Sequence, residues 1–293
     1  MKTSKTWKNS TLKNLKMNDT AHPDLLEYPI ADHIRAFSTR RSGGVGQGAY
    51  AGFNITHYCG DLSTNVSLHR RALCAELGIT DAALHLPWQT HGTEVMKIDD
   101  SFLRLPAEER AQCLHGIDAL ITDLPHQCIG ISTADCIPIL LYDPIHKAVA
   151  AIHAGWRGTV ADIVGHTVRA MQSHYGTQVH ELRAVIGPGI GPEAFEVGNE
   201  VYEAFADKHF PMEQIAHRMP AFSTPRTTAS SPIPEKWHID LWAANTHLLE
   251  TVGLPLHHIM VSGICTYTHH ETYFSARRLG IKSGRIFTGI MMK

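Results

Sequence analysis

Hydrophobic and polar positions along this chain follow two rhythms. Short runs dense in β-branched and apolar side chains predict strands at 34–40 (IRAFSTR), 119–123 (ALITD), 128–133 (CIGIST), 137–143 (IPILLYD), 148–154 (AVAAIHA), 183–188 (RAVIGP), 258–265 (HIMVSGIC) and 285–292 (RIFTGIMM). Between them, apolar residues recur every third or fourth position. That spacing predicts helices beginning near Asn65, Gly158, Gly198 and Asp240, each opened by a capping residue and several closed by glycine. The link PIHK is far too short for a helical crossover, so 137–154 must be an antiparallel hairpin. A wholly parallel, doubly wound sheet is thereby excluded, and the class is mixed α/β. The stretch RMPAFSTPRTTASSPIPEKWH carries four prolines and reads as a long surface loop over 218–236, placed to move over a site.

The first twenty residues break both rhythms. MKTSKTWKNSTLKNLKMNDT holds five lysines and lacks the apolar core of a signal peptide. It reads as a disordered leader over 1–20, with Met17 as an alternative start, ahead of a single domain over 21–293. With 43% hydrophobic residues among 293, the chain can bury a large core and stand as a monomer. A net charge of −2 leaves no basic field for nucleic acid or an anionic membrane, which points to small-molecule partners. The six cysteines are scattered and contain no C-x-x-C pair, as expected for free thiols in a reducing, cytoplasmic setting. No apolar run reaches the length of about 18 residues that a membrane span needs.

Histidine is abundant, at 21 residues, but no H-x-H or H-E-x-x-H pair concentrates it. What remains are single donors where strands run into tight turns: Cys136 in TADCIP, His153 in IHAGWRG and His91 in WQTHGTEV. Two histidines and one thiolate make a three-ligand zinc set with a fourth position open. A lone cysteine at a strand end is also a common core residue. Spacing alone leaves both readings open.

Eight blocks in fixed order carry more information: FSTRRSGGVGQGAYAGFNI, WQTHGTEV, GIDALITD, STADCIPILLYD, AAIHAGWRGT, IGPGIGPEAFEVG, DLWAAN and CTYTHHETYFSARRLGIKSGR. In these the sequence resembles the YfiH-like, laccase-domain family, also called polyphenol oxidases or multicopper polyphenol oxidoreductases and regarded as purine nucleoside phosphorylases. The resemblance runs from about Phe37 to the C-terminus, with an extra residue or two at RRSGG. It implies a single-domain α/β/β sandwich with mixed sheets, distantly related to CNF-type cysteine hydrolases. It also implies Zn2+ on His91, Cys136 and His153, with copper the less favoured metal. The implied activity is phosphorolysis of adenosine, inosine and methylthioadenosine to free base and ribose 1-phosphate, with adenosine deamination beside it.

Further candidates follow from that chemistry. Asp135 can shuttle protons beside the metal. Arg40, Arg157, Arg277 and Arg278 are the guanidinium forks available to phosphate, and Arg277 is preferred over its neighbour because adjacent strand residues point to opposite faces. Arg157 can equally cap a helix or pair with a surface acid. Asn54 can bind ribose or satisfy backbone groups, and Trp156 can stack on a purine or fill core. GPGIGP lacks the phosphate-loop pattern, His269 and His270 read as surface residues, and GIDALITD reads as packing and a turn. Three rival functions stand beside the main one. The first is a metal-free cysteine hydrolase or amidase editing peptidoglycan precursors, with Cys136 activated by His153 or His91. The others are a copper-dependent oxidase of phenols and a binding module with structural zinc.

Overall fold

In the computed structural model, residues 21–221 and 234–293 are described. Fourteen strands among them follow in order: β1 (Leu25–Glu27), β2 (Ile34–Thr39), β3 (Leu84–His85), β4 (Val95–Lys97), β5 (Ala119–Thr122), β6 (Cys128–Thr133), β7 (Ile137–Asp143), β8 (Ala148–Ala154), β9 (Arg183–Ile186), β10 (Glu196–Val197), β11 (Ala216–Pro220), β12 (Glu235–Ile239), β13 (Ile259–Val261) and β14 (Ile286–Met292). They build a five-stranded sheet in the order β1-β2-β14-β6-β3, a six-stranded sheet β13-β9-β7-β8-β5-β4, and a small sheet β10-β12-β11. Both large sheets are mixed. The pairs β3–β6, β4–β5 and β9–β13 run parallel, while their other ladders are antiparallel.

The strict alternation of side chains along a strand explains how the two large sheets meet. On one face of β7 and β8, Leu140, Tyr142, Val149 and Ala151 pack against Ile34, Ala36, Ile129, Ile131 and Ile290 of the five-stranded sheet. On the opposite face, Ile137, Ile139, Leu141, Ala150 and Ile152 pack under the helices Ile163–Tyr175, Asn199–Asp207 and Leu241–Thr251. The outer face of the five-stranded sheet is covered by the helix Ser63–Leu77 through Leu73, Cys74 and Leu77, against Phe37 and Phe287. The sandwich is thus flanked by helices on both sides. A strand buried on both faces reads as a continuous apolar run, which is why IPILLYD and AVAAIHA look the way they do.

The antiparallel hairpin over 137–154 forms as expected, with Ile137 opposite Ala154 and Asp143 opposite Ala148. Two expectations need correction. The helix beginning near Gly158 is two helices, Trp156–Val160 and Ile163–Tyr175, separated where Asp162 turns left-handed (φ 61°) and accepts the amide of Gly165. The presumed loop 218–236 is strand at both ends, because β11 and β12 pair with Arg218 opposite Trp237 and Pro220 opposite Glu235. Pro220 is tolerated because β11 is an edge strand and the proline ends it. The middle of that stretch, and the leader over 1–20, lie outside the described residues. No helix among the described residues is long and apolar enough to cross a membrane.

Candidate metal centre

Alternation also places the donors. In β8, Val149 and Ala151 face the other large sheet, so His153 faces the same way; in β7, Leu140 and Tyr142 share the parity of Cys136. Cys136 and His153 therefore sit on one face, at the open end of one hairpin, opposite its turn. The third donor comes from elsewhere: His91 lies in the loop between Trp88 and β4, with a left-handed backbone (φ 64°). Left-handed geometry is uncommon away from glycine, and Asp135, next to Cys136, shares it (φ 92°). Strain of this kind persists only where surrounding bonds over-determine the turn.

Those bonds come largely from one side chain. Asp118, fully buried just ahead of β5, accepts the backbone amides of Thr90 (3.1 Å), His91 (3.0 Å) and Gly92 (2.7 Å). Its Oδ1 also takes a bond from Nδ1 of His153 at 2.7 Å, while its carbonyl accepts the His153 amide. The Asp135 carboxylate is engaged on its other side, by the Thr266 hydroxyl (2.7 Å) and the Arg277 amide (2.6 Å). Its carbonyl accepts the amide of Ile190, so the glycine-rich GPGIGP stretch closes over the TADC turn.

The ligand-type atoms of His91, Cys136 and His153 lie within 4.8 Å of one another, the one such group of donors among the described residues. Cys136 Sγ is 3.8 Å from Nε2 of His91. Zinc bonds of about 2.0–2.3 Å put tetrahedral donors roughly 3.3–3.7 Å apart, a spacing the Cys136–His91 pair nearly has and the whole group would reach by contracting about 1 Å. The donor chemistry fits as well: one thiolate and two imidazoles is a borderline-soft set suited to zinc. His153 is buried, Cys136 half-buried and His91 exposed, which leaves one side open for a fourth ligand. Burial pushes the Cys136 thiol upward, yet the charge and hydrogen bond of His153, with help from His91, outweigh it and bring the thiol down to about 6. Burial likewise opposes protonation of His153, and the thiolate with Asp118 raises it to about 9. Asp118 stays below the ordinary carboxylate range although burial pulls the other way, because His153 and the amides of Gly92 and Thr90 hold its charged form.

The other candidates scatter. Arg40 pairs with Asp24 (2.7 Å) and reaches Tyr273, and Asn54 is fully buried with its amide on Asp61 (2.9 Å) and its oxygen on the amides of Thr56 and Arg285. Arg277 and Arg278 lie in the short helix Ala276–Leu279, not in a strand, so the opposite-face argument does not apply. The Arg277 guanidinium is spent on the carbonyls of Ala194 and Glu196 (3.2 Å each). Arg278 donates to the Tyr267 hydroxyl. Arg157 lies 4.3 Å over the ring of Trp156, which packs on the core, and has no hydrogen-bond acceptor among the described residues. Sequence reasoning missed Asp118, because GIDALITD offers no local mark separating a buried organiser from a turn residue. The one available signal was a carboxylate entering a fully buried strand without a cation beside it.

A family model described as multi-copper polyphenol oxidoreductase laccase matches residues 35–293. Among characterised sequences, a "Purine nucleoside phosphorylase" of Bacteroides thetaiotaomicron is 45% identical over 260 residues, covering 89% of this chain and 92% of its own length. An "Adenosine deaminase RL5" from an unknown prokaryotic organism is 43% identical, covering 89% of this chain and 94% of its own. Among solved structures, the hypothetical protein YfiH of Bacillus licheniformis superposes with a TM-score of 0.80 at 27% identity, covering 92% of this chain and 97% of that one. YlmD from Geobacillus stearothermophilus superposes at 0.78 with 29% identity, over 92% and 96%. With its mixed sheets, its ordered blocks and these matches, the chain belongs to the YfiH-like family of multi-copper polyphenol oxidoreductase laccases.

Proposed function

We propose that the chain is a zinc-dependent purine nucleoside phosphorylase acting on adenosine, inosine and methylthioadenosine, with adenosine deamination as a second activity. The observation that carries the reading is the convergence of His91, Cys136 and His153, with one side open to solvent. The printed names of the relatives supply the substrate class. Zn2+ held there would supply Lewis acidity toward a water or a substrate oxygen. The protein's own groups do the rest. Cys136 is a thiolate at neutral pH and serves as a ligand. Arg157, the candidate fork without an acceptor among the described residues, is assigned to phosphate, whereas Arg40 is engaged by Asp24 and Arg277 by the carbonyls of Ala194 and Glu196. Asp135, with both oxygens engaged, is assigned to holding the Cys136 turn rather than to moving protons. The scatter of unpaired thiols supports a reducing, cytoplasmic setting, and we take the enzyme to act as a monomer.

The test combines elemental analysis with product analysis after incubation with adenosine and phosphate. Zinc near one per chain, with adenine, ribose 1-phosphate and inosine among the products, is the expected result. Cys136→Ala, His91→Ala and His153→Ala should each lower zinc content and abolish both activities, because any one removal leaves two protein donors. A second reading has an observation of its own: Cys136, His153 and Asp118 also line up as nucleophile, base and orienting acid of a cysteine hydrolase. Under that reading Cys136→Ala kills activity with metal content unchanged. A blue absorption band in the purified protein would favour copper instead.

A further inference from the structure

We propose that Asp118 is the positioning residue of the metal centre, selecting Nε2 as the ligand atom of His153 while it fixes the turn that presents His91. The proposal rests on reading the three donors as a metal site. One carboxylate then sets two of the three ligands.

The argument starts from what each atom can do. A neutral imidazole has one N–H and one lone pair, and an ionised carboxylate only accepts. Once a metal displaces the second proton of the ring, Nδ1 of His153, 2.7 Å from Asp118 Oδ1, keeps its proton and the lone pair lies on Nε2. A hydrogen-bonded second partner of this kind fixes ring orientation and raises ligand basicity. The same Oδ1 accepts the amide of His91 at 3.0 Å, and Oδ2 accepts those of Gly92 (2.7 Å) and Thr90 (3.1 Å). These three amides come from consecutive residues of the turn in which His91 adopts φ 64°. Both oxygens are therefore committed, one shared between ring and turn and the other held by the turn alone. Asparagine has one accepting oxygen and cannot serve both. With its oxygen at the Oδ1 position, its NH2 confronts the amides of Gly92 and Thr90. With the oxygen at Oδ2, the NH2 faces Nδ1 of His153, which then accepts and turns Nε2 into a donor aimed at the metal. A carboxylate that merely satisfied the entry to β5 would have no reason to contact both ligands.

The test compares wild type with Asp118→Asn. Zinc affinity measured by chelator competition should fall by about 10–100-fold in the variant. Nitrogen NMR of the cadmium-loaded wild-type protein should couple the metal to Nε2 of His153 and leave a proton on Nδ1. Asp118→Asn should lose that coupling or shift the proton, and its metal-free form should melt below wild type because buried amides of the His91 turn lose their acceptor. Equal affinity with an unchanged tautomer overturns the proposal. So does a wild-type spectrum with the metal on Nδ1, an outcome readable even if the variant fails to fold. A wild-type protein that takes up neither metal overturns the metal reading as well, so the two failures are distinguishable.

Discussion

Gly155 is glycine for reasons of space. Its backbone is ordinary (φ −68°), so no left-handed turn demands it. A methyl group there would meet Cδ2 of His91 at 2.8 Å and Sγ of Cys136 at 3.2 Å. Neither neighbour is free to retreat, since Asp118 grips the His91 turn and β7 begins directly after Cys136. Gly155→Ala should therefore strain the donor set, cutting zinc content several-fold by elemental analysis and lowering the melting temperature of the metal-free protein as well. At this scale the sequence was readable where chemistry and turn signals coincide. Cys136, His153 and His91 each stand beside a glycine or proline that advertises a strand end. Asp118 also follows a glycine, Gly116, but that signal marks only a turn, and its role arises from atoms contributed by Thr90 to Gly92, far away in sequence.

The hairpin of β7 and β8 was readable down to its ends because both strands are apolar apart from Asp143 and His153 near their ends and the link between them is short. Its turn is held by Asp143, fully buried, which accepts the amides of Ile145 (2.9 Å) and His146 (3.0 Å) and the His146 ring (2.9 Å). Burial pulls this carboxyl upward, but the hydrogen bonds around it win and hold it below its usual range. Asp143→Asn should cost about 1–3 kcal/mol, the usual penalty for stranding buried donors. A carboxyl depressed by folding contributes stability that is full above its unfolded value near about 4 and fades as pH falls through the folded value. The gap in melting temperature between wild type and variant should accordingly be widest near neutrality and close as the pH is taken toward 3. Elements were misread where a local signal was overridden. Asp162 carries no glycine to announce a break, and the prolines near Pro220 concealed a strand that needs no ladder bond on its outer side.

At the scale of the molecule, the facing of the two large sheets was beyond local reading. β14 pairs with both β2 and β6, partners separated from it by more than a hundred residues, and such pairing leaves no periodic mark. Only the family resemblance pointed to a sandwich. Since Leu140 lies fully buried in the layer between the sheets, Leu140→Ala should remove about 2–5 kcal/mol and do so in one cooperative transition, monitored by calorimetry. Metal removal should act globally too, because His91 lies on a different segment from the hairpin. With free zinc at a hundred times its dissociation constant, binding adds about 2.7 kcal/mol to stability, so a chelator should lower the melting temperature by several degrees in wild type and not in Cys136→Ala.

The short connection from β7 to β8 also sets a sequence in time. Cys136 and His153 flank the open end of a single hairpin, a structure that closes in about 1–10 μs once its residues are free to meet. His91 should join after β5 has been added alongside β8, bringing Asp118 within reach of the loop, since that closure spans a longer stretch of chain. Of the three donors, the one that leaves the ribosome first should be the last to arrive.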